Sequence, residues 1–192
     1  RIWMTRPLGT SGTRRRAVEM EITRAWAMPN SDTFSIPPIK KLLERYIEPI
    51  IIVDPFVRHS PFKKQCVSND LDTSIEADYH MDALDFLKRF GDEEVNLVLF
   101  DPPYSPRQVS ECYRKMEKTV NMQTTQSSFW GNLKKEIGRI LTPSGVCISF
   151  GWNSGGIGKN LNFKIEEILL VAHGGWHNDT IVTVERKQYA IK

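Results

Sequence analysis

The stretch Val95-Asn96-Leu97-Val98-Leu99-Phe100-Asp101-Pro102-Pro103-Tyr104 changes character abruptly at Asp101. Its first six residues are almost continuously apolar and rich in β-branched and aromatic side chains. That is the pattern of a strand covered on both faces, as in a parallel sheet. Asp101 and two prolines then end it, because proline lacks the N–H a sheet ladder needs. A buried strand stopping at an acid is the unit from which open α/β sheets are built, with ligands gathering beyond the carboxyl ends of the strands.

Working outward, the same unit recurs. Pro49-Ile50-Ile51-Ile52-Val53-Asp54-Pro55 reads as a short buried strand that also stops at an acid and a proline. Gln65–Asn69 is a second strand ending at Asn69-Asp70, and Ala77–Met81 is a weaker third, leading into a helix over Asp82–Phe90. Beyond the central stretch, residues 105–127 are polar and without clear period. Ser128–Leu141 places Phe129, Leu133, Ile137 and Leu141 at helical spacing. Pro143-Ser144-Gly145 turns into a strand over Val146–Phe150, and Phe163–Ala172 and Thr180–Glu185 form a final pair of strands around Gly174-Gly175. On the other side, Pro29, Pro37 and Pro38 exclude helix interior from residues 29–38, and a short helix is expected over Ile39–Ile47. The expected fold class is α/β: a doubly wound, mostly parallel Rossmann-like sheet with an antiparallel C-terminal strand. Asp54, Asp70, Asp82 and Asp101 should all lie at its carboxyl edge.

Composition sets the limits. With 192 residues, 40% hydrophobic and 26% charged, the chain suits one α/β domain with a substantial core. No apolar run is long enough to span a bilayer, and no signal-peptide core opens the chain, so a cytoplasmic protein without a membrane partner is expected. Cys66, Cys112 and Cys147 are far apart, and with four scattered histidines they give no metal-ligand spacing. The formal charge of +3 is unevenly placed. Residues 1–28 hold Arg1, Arg6, Arg14, Arg15, Arg16 and Arg24 against Glu19 and Glu21, a net of +4. They read as a flexible basic arm suited to phosphate attraction, with the folded domain expected over 29–192.

Asp101-Pro102-Pro103-Tyr104 carries the chemical signal. The lone pair of an exocyclic amine on an aromatic base is delocalised into the ring, so the nitrogen is a poor nucleophile. A carboxylate and a backbone carbonyl that accept its two N–H protons drive it toward sp³ and release the lone pair. Asp101 supplies the carboxylate, Pro102 supplies the carbonyl, held outward because Pro102 and Pro103 fix φ and lack the N–H, and Tyr104 offers a face on which an extruded base can stack. Read without this chemistry, the tetrapeptide is a proline turn ending a strand.

The segment Leu99–Tyr104 resembles the catalytic motif of the amino-methyltransferases of DNA, and the likeness extends over most of residues 29–187. It implies S-adenosylmethionine as cofactor and methyl transfer to a base amine, adenine N6 foremost, in DNA. Thr33-Phe34-Ser35-Ile36-Pro37-Pro38-Ile39 is similar to the family's segment against the methionine end of the cofactor, with Phe34 and Ile36 as contacts. Asp54-Pro55-Phe56 resembles the start of the first cofactor loop. Asp70 matches the acid that bonds the ribose hydroxyls, and Asp82 the residue near the adenine amine. One departure stands out. The family's first loop carries glycines, as in Asp-x-Phe-x-Gly-x-Gly, whereas this chain has Asp54-Pro55-Phe56-Val57-Arg58-His59-Ser60. Arg58 there is either a cation for the cofactor carboxylate or a surface side chain.

Downstream, Trp152 and Asn153 follow the fifth strand and are placed to line a base pocket. The loop Gly174-Gly175-Trp176-His177-Asn178-Asp179 offers His177 and Asn178 to the base or its phosphate. Motif order puts recognition after the last strand in such families, and little follows that strand here. Arg107 and its neighbours in Ser105–Ser127 are the remaining candidates for DNA contacts. A second subunit or a homodimer is the other expected source of target recognition. The same motif also serves an RNA base or a protein glutamine amide, and a noncatalytic nucleic-acid-binding subunit of this fold is the alternative of another class.

Overall fold

The computed structural model describes residues 20–48, 50–103 and 127–189. Their centre is one seven-stranded sheet. In chain order the elements are β1 (Glu21–Trp26), α1 (Pro37–Leu43), β2 (Ile52–Asp54), β3 (Val67–Ser68), α2 (Ala83–Leu87), β4 (Val95–Phe100), α3 (Ser127–Ile140), β5 (Leu141–Gly151), β6 (Phe163–Ala172) and β7 (Thr180–Lys187). Across the sheet the order is β1-β6-β7-β5-β4-β2-β3. Every strand runs the same way except β7, which is antiparallel to both β5 and β6. The expected doubly wound sheet with an antiparallel C-terminal strand is what the chain forms.

β4 shows why this follows from the sequence. Leu97 and Leu99 enter one core, with Ile39, Leu43, Ile148 and Val184, beneath α1. Val98 and Phe100 enter the other, with Phe86, Leu133, Ile137 and Cys147, beneath α2 and α3. Both faces of the strand are covered, so both parities must be apolar. α3 needs only one apolar stripe, and Phe129, Leu133, Ile137 and Ile140 supply it.

Several boundaries differ from the sequence reading. Within the arm expected over 1–28, Glu21–Trp26 is instead an edge strand lying parallel to β6, with Ile22 beside Ile168 and Trp26 beside Ala172. Ile22, Arg24 and Trp26 stay exposed on one face, so the strand lacks the clean apolar alternation that marks a half-buried one. Ala77–Met81 is not a strand. Tyr79 makes a single bridge to Asn69, and buried side-chain hydrogen bonds do the rest. α1 begins two residues earlier than expected, since Pro37 and Pro38 occupy its first turn, where the missing N–H costs nothing. β5 starts at Leu141, so Pro143-Ser144-Gly145, expected as a turn, lies within it, and α1 and α2 end earlier than expected, at Leu43 and Leu87.

Candidate functional site

Because β2, β3, β4, β5, β6 and β1 point the same way, their carboxyl ends share one edge. That edge presents Asp54, Asn69-Asp70, Asp101, Trp152 and the loops after Trp26 and Ala172. A shallow cleft opens there, bounded by Asp32, Phe34, Phe56, Arg58, His59 and Asp101 among others. Three stretches far apart in sequence thus meet: the Thr33–Ile39 segment, the first loop and the end of β4.

The first loop is built without glycine. Arg58 takes the left-handed backbone, φ 45°, that a glycine would adopt freely. Asp70 supports it: one carboxylate oxygen accepts the Arg58 N–H at 3.0 Å and the other accepts the Asp72 N–H at 2.9 Å. The turn that the missing glycines put in question is therefore made by an arginine held from behind. Asn69 completes the bracket. Its side-chain nitrogen donates to the Pro55 and Met81 carbonyls, and its oxygen accepts the Met81 N–H, all at 3.1 Å. One buried amide thereby fixes the first loop against the segment entering α2. Asp82, the next residue, caps that helix by accepting the Leu84 N–H at 2.9 Å.

Acids crowd this edge. Asp54 is fully buried. One of its oxygens accepts the Phe56 N–H at 3.1 Å, and the other has no partner among the described residues. Burial holds its carboxyl well above the ordinary carboxylate range, the Phe56 N–H opposes this, and Asp101 and Asp70 add to the rise. Asp32 likewise leaves one buried oxygen unpartnered at the cleft wall. A buried acceptor without a donor is costly, and that of Asp32, at the cleft wall, suits a ligand that brings a cationic donor. Arg58 at the same wall suits that ligand's carboxylate. A cofactor carrying an ammonium, a sulfonium and a carboxylate fits this donor and acceptor set.

The sequence-predicted residues fall into three groups. Phe34, Phe56 and Asp101 line the cleft. Asp54 and Pro55 are buried under the first loop, and Asp70 and Asp82 hold backbone around it. Phe34 stacks at 4.8 Å on Phe150, while Ile36 lines a neighbouring hollow instead. Pro102 is buried and Pro103 half-buried, and the Pro103 carbonyl accepts the Trp130 indole N–H at 3.1 Å, so α3 clamps the proline turn. Trp152 and Asn153 lie exposed after β5, and His177 and Asn178 lie exposed in the β6–β7 loop, outside the cleft lining. Tyr104 and Arg107 lie outside the described residues.

Residues the sequence did not mark are Asp32, Asn69 as a bracket, and Glu185. Glu185 is buried in β7 and accepts the N–H groups of Ile157 and, at 3.0 Å, Gly158. It thereby pins the loop that begins at Trp152. Burial raises its carboxyl above the ordinary range, against those two donors. Gly156, at φ 46°, lies against this carboxylate, and a side chain there would collide with it. Among the described residues no cluster of three metal-ligating side chains occurs, and no helix is long and apolar enough to cross a membrane.

Neither a protein-family model nor a curated protein matches the sequence. Solved structures do match the fold. Burkholderia thailandensis 1,6-didemethyltoxoflavin-N1-methyltransferase, solved with 1,6-didemethyltoxoflavin and S-adenosylhomocysteine, superposes with a TM-score of 0.53 at 12% identity, over 79% of this chain and 77% of its own. A SAM-dependent methyltransferase from Methanosarcina mazei gives 0.51 at 9% identity, over 77% and 97%. TrmN from Thermus thermophilus gives 0.51 at 16% identity, over 79% of this chain and 49% of its own, so this chain spans about half of that protein. The chain has the Rossmann-like fold of the SAM-dependent methyltransferases.

Proposed function

We propose that the protein transfers a methyl group from S-adenosylmethionine to an exocyclic amine of a nucleobase, adenine N6 in DNA foremost. The observation that carries this reading is the placement of Asp101, first residue of the Asp-Pro-Pro-Tyr motif, in one cleft with Phe34, Phe56 and Arg58. Arg58 holds the cofactor carboxylate, and the unpartnered oxygen of Asp32 favours its cationic groups. Asp70 and Asp82 take the ribose hydroxyls and the adenine. When bound, the cofactor supplies a methyl group on a sulfonium, ready for in-line attack. Asp101 accepts one proton of the target amine, and the proline turn, clamped by Trp130, offers a carbonyl to the other. The nitrogen lone pair is thereby freed toward the methyl group. Tyr104 stacks on the extruded base, and Arg107, Trp152, Asn153, His177 and Asn178 contact the base or its flanking phosphates. DNA is the partner, and a second subunit or a second copy extends recognition.

Mass spectrometry of nucleosides from DNA incubated with the protein and cofactor tests this. N6-methyladenine is the expected product. N4-methylcytosine alone moves the target to the other base amine, and no modified base in DNA, with label entering RNA or protein instead, overturns the DNA reading.

A further inference from the structure

Beside the cleft, the same edge of the sheet holds two tryptophans out in solvent. Trp26, at the end of β1, is 67% exposed, and Trp176, in the β6–β7 loop, is fully exposed. Met28, 65% exposed, lies next to the first. Exposed apolar groups gathered at one corner mark an interaction surface.

The corner is built to hold them. β1 lies against β6 with Trp26 beside Ala172. The chain then turns through Gly174 and Gly175, both in the left-handed region at φ 69° and 59°. A side chain on Gly174 would come within 3.5 Å of the Trp26 indole nitrogen, so the loop carrying Trp176 passes directly against Trp26. Buried His173 braces the corner, with one ring nitrogen 2.8 Å from the Ala27 carbonyl and the other 2.9 Å from Thr180 Oγ1. A hollow opens here, bounded by Trp26, Met28, Pro29, Ile36, Pro37 and Pro38. Thr33 and Phe34 line the cleft on one side of the intervening segment, while Ser35, Ile36 and Pro37 line the hollow on the other. Exposed Arg24, two residues before Trp26 on the same face of β1, adds a cation beside it.

We propose that Trp26 and Trp176 form a stacking platform for the unpaired nucleobases that adjoin the target on a single DNA strand. Flat aromatic and proline surfaces with a flanking cation suit a base face and its phosphate, and stacking of this kind reads neither sequence nor sugar. A strand with its target amine at Asp101 runs its next nucleotides across the Thr33–Pro37 segment onto the hollow. The proposal rests on the polynucleotide part of the function above and not on its chemistry.

The test is fluorescence anisotropy of the full chain with labelled decamers of thymidylate and uridylate, and with a blunt duplex, at one salt concentration. Base–aromatic stacking predicts that Trp26→Ala and Trp176→Ala each weaken decamer binding roughly 5- to 100-fold. Trp→Phe at either position should hold it within about threefold, and both decamers should bind alike. Melting curves of the Ala variants, beside those of the Phe variants, keep a folding defect separate from a lost contact. In methyl-transfer assays on single strands, the Ala variants should raise KM and leave kcat unchanged. Decamer affinity within twofold of wild type in both Ala variants overturns the platform, as does a wild type that binds neither decamer or uses the tryptophans only to dimerise. Wild-type decamer binding that is sensitive to the tryptophans but without methyl transfer leaves the platform and removes the proposed activity. Methyl transfer indifferent to both tryptophans does the reverse.

Discussion

At Asp101 the proposed reaction needs a charge-bearing acceptor, and little else in the cleft can replace it. Asp101→Ala should abolish methyl transfer while calorimetry still finds the cofactor bound, and turnover within tenfold of wild type would remove the residue from catalysis. Arg58 makes a different demand, since its left-handed backbone is strained and its side chain is proposed to hold a carboxylate. Arg58→Gly should relieve the first and lose the second. The melting temperature is expected to stay level or rise slightly, while the cofactor dissociation constant increases on the order of tenfold or more, the loss of one charge-assisted hydrogen bond. Unchanged affinity would return Arg58 to the surface. Asp54 gives a pH signature. Its folded-state pKa lies above that of the unfolded chain, so the fold prefers the protonated carboxyl. That contribution is complete below the ordinary carboxylate range and is lost as pH rises through the folded-state value. Asp54→Asn should therefore match wild type in acid and become progressively more stable than it toward neutral pH, by thermal melts across that window. A constant difference would show that Asp54 is not a buried titrating acid.

Among the elements, the loop after β5 depends on a carboxylate from β7. Gly156→Ala forces a side chain into both a left-handed turn and the Glu185 carboxylate. A loss of about 2–3 kcal/mol, or roughly 5–10 °C in melting temperature, is expected, and a variant that melts like wild type would contradict the packing. This device also marks where sequence reading stops. β4 and β6 were legible to the residue, and the acids ending β2 and β4 with them, because two-sided burial and a proline stop are local signals. Glu185 was not legible, as it resembles any polar residue in a strand until Ile157 and Gly158 are seen against it. Asn69 and Asp32 share that limitation, since their meaning lies in partners many residues away. β1 was missed for the opposite reason. An edge strand with one face in water does not need the alternation by which strands are recognised, and its arginine made it read as part of a basic tail.

For the whole molecule, the placement of β1 within residues 1–28 changes what truncation should do. Removing residues 1–19 should leave the melting temperature near wild type and flatten the salt dependence of DNA binding, since Arg1, Arg6, Arg14, Arg15 and Arg16 no longer release counterions. Removing residues 1–28 should additionally destabilise the sheet, because β1 covers the edge of β6. Equal melting of the two truncations would mean that β1 contributes nothing to stability, and a salt titration superposing on wild type would leave the arm inert. Target choice belongs to this scale too. With the proposed contacts of the Ser105–Ser127 stretch as the source of recognition, each discriminating by about 1–3 kcal/mol, a short site is expected for this chain, and sequencing of methylated adenines across a plasmid checks it. Strict modification of a single site of six or more base pairs by the monomer would be incompatible with that.

The pairing of β1 with β6 also sets an order of events during translation. Strand β1 leaves the ribosome long before β6, its neighbour among the described strands, which ends at Ala172. At ~5–20 residues per second, Ile22 and Trp26 wait on the order of ten seconds with no ladder to join. A strand made early is thus docked late, and until β6 emerges the nascent chain carries Ile22 and Trp26 on an unpaired segment, a natural client for chaperones that meet polypeptides at the exit tunnel.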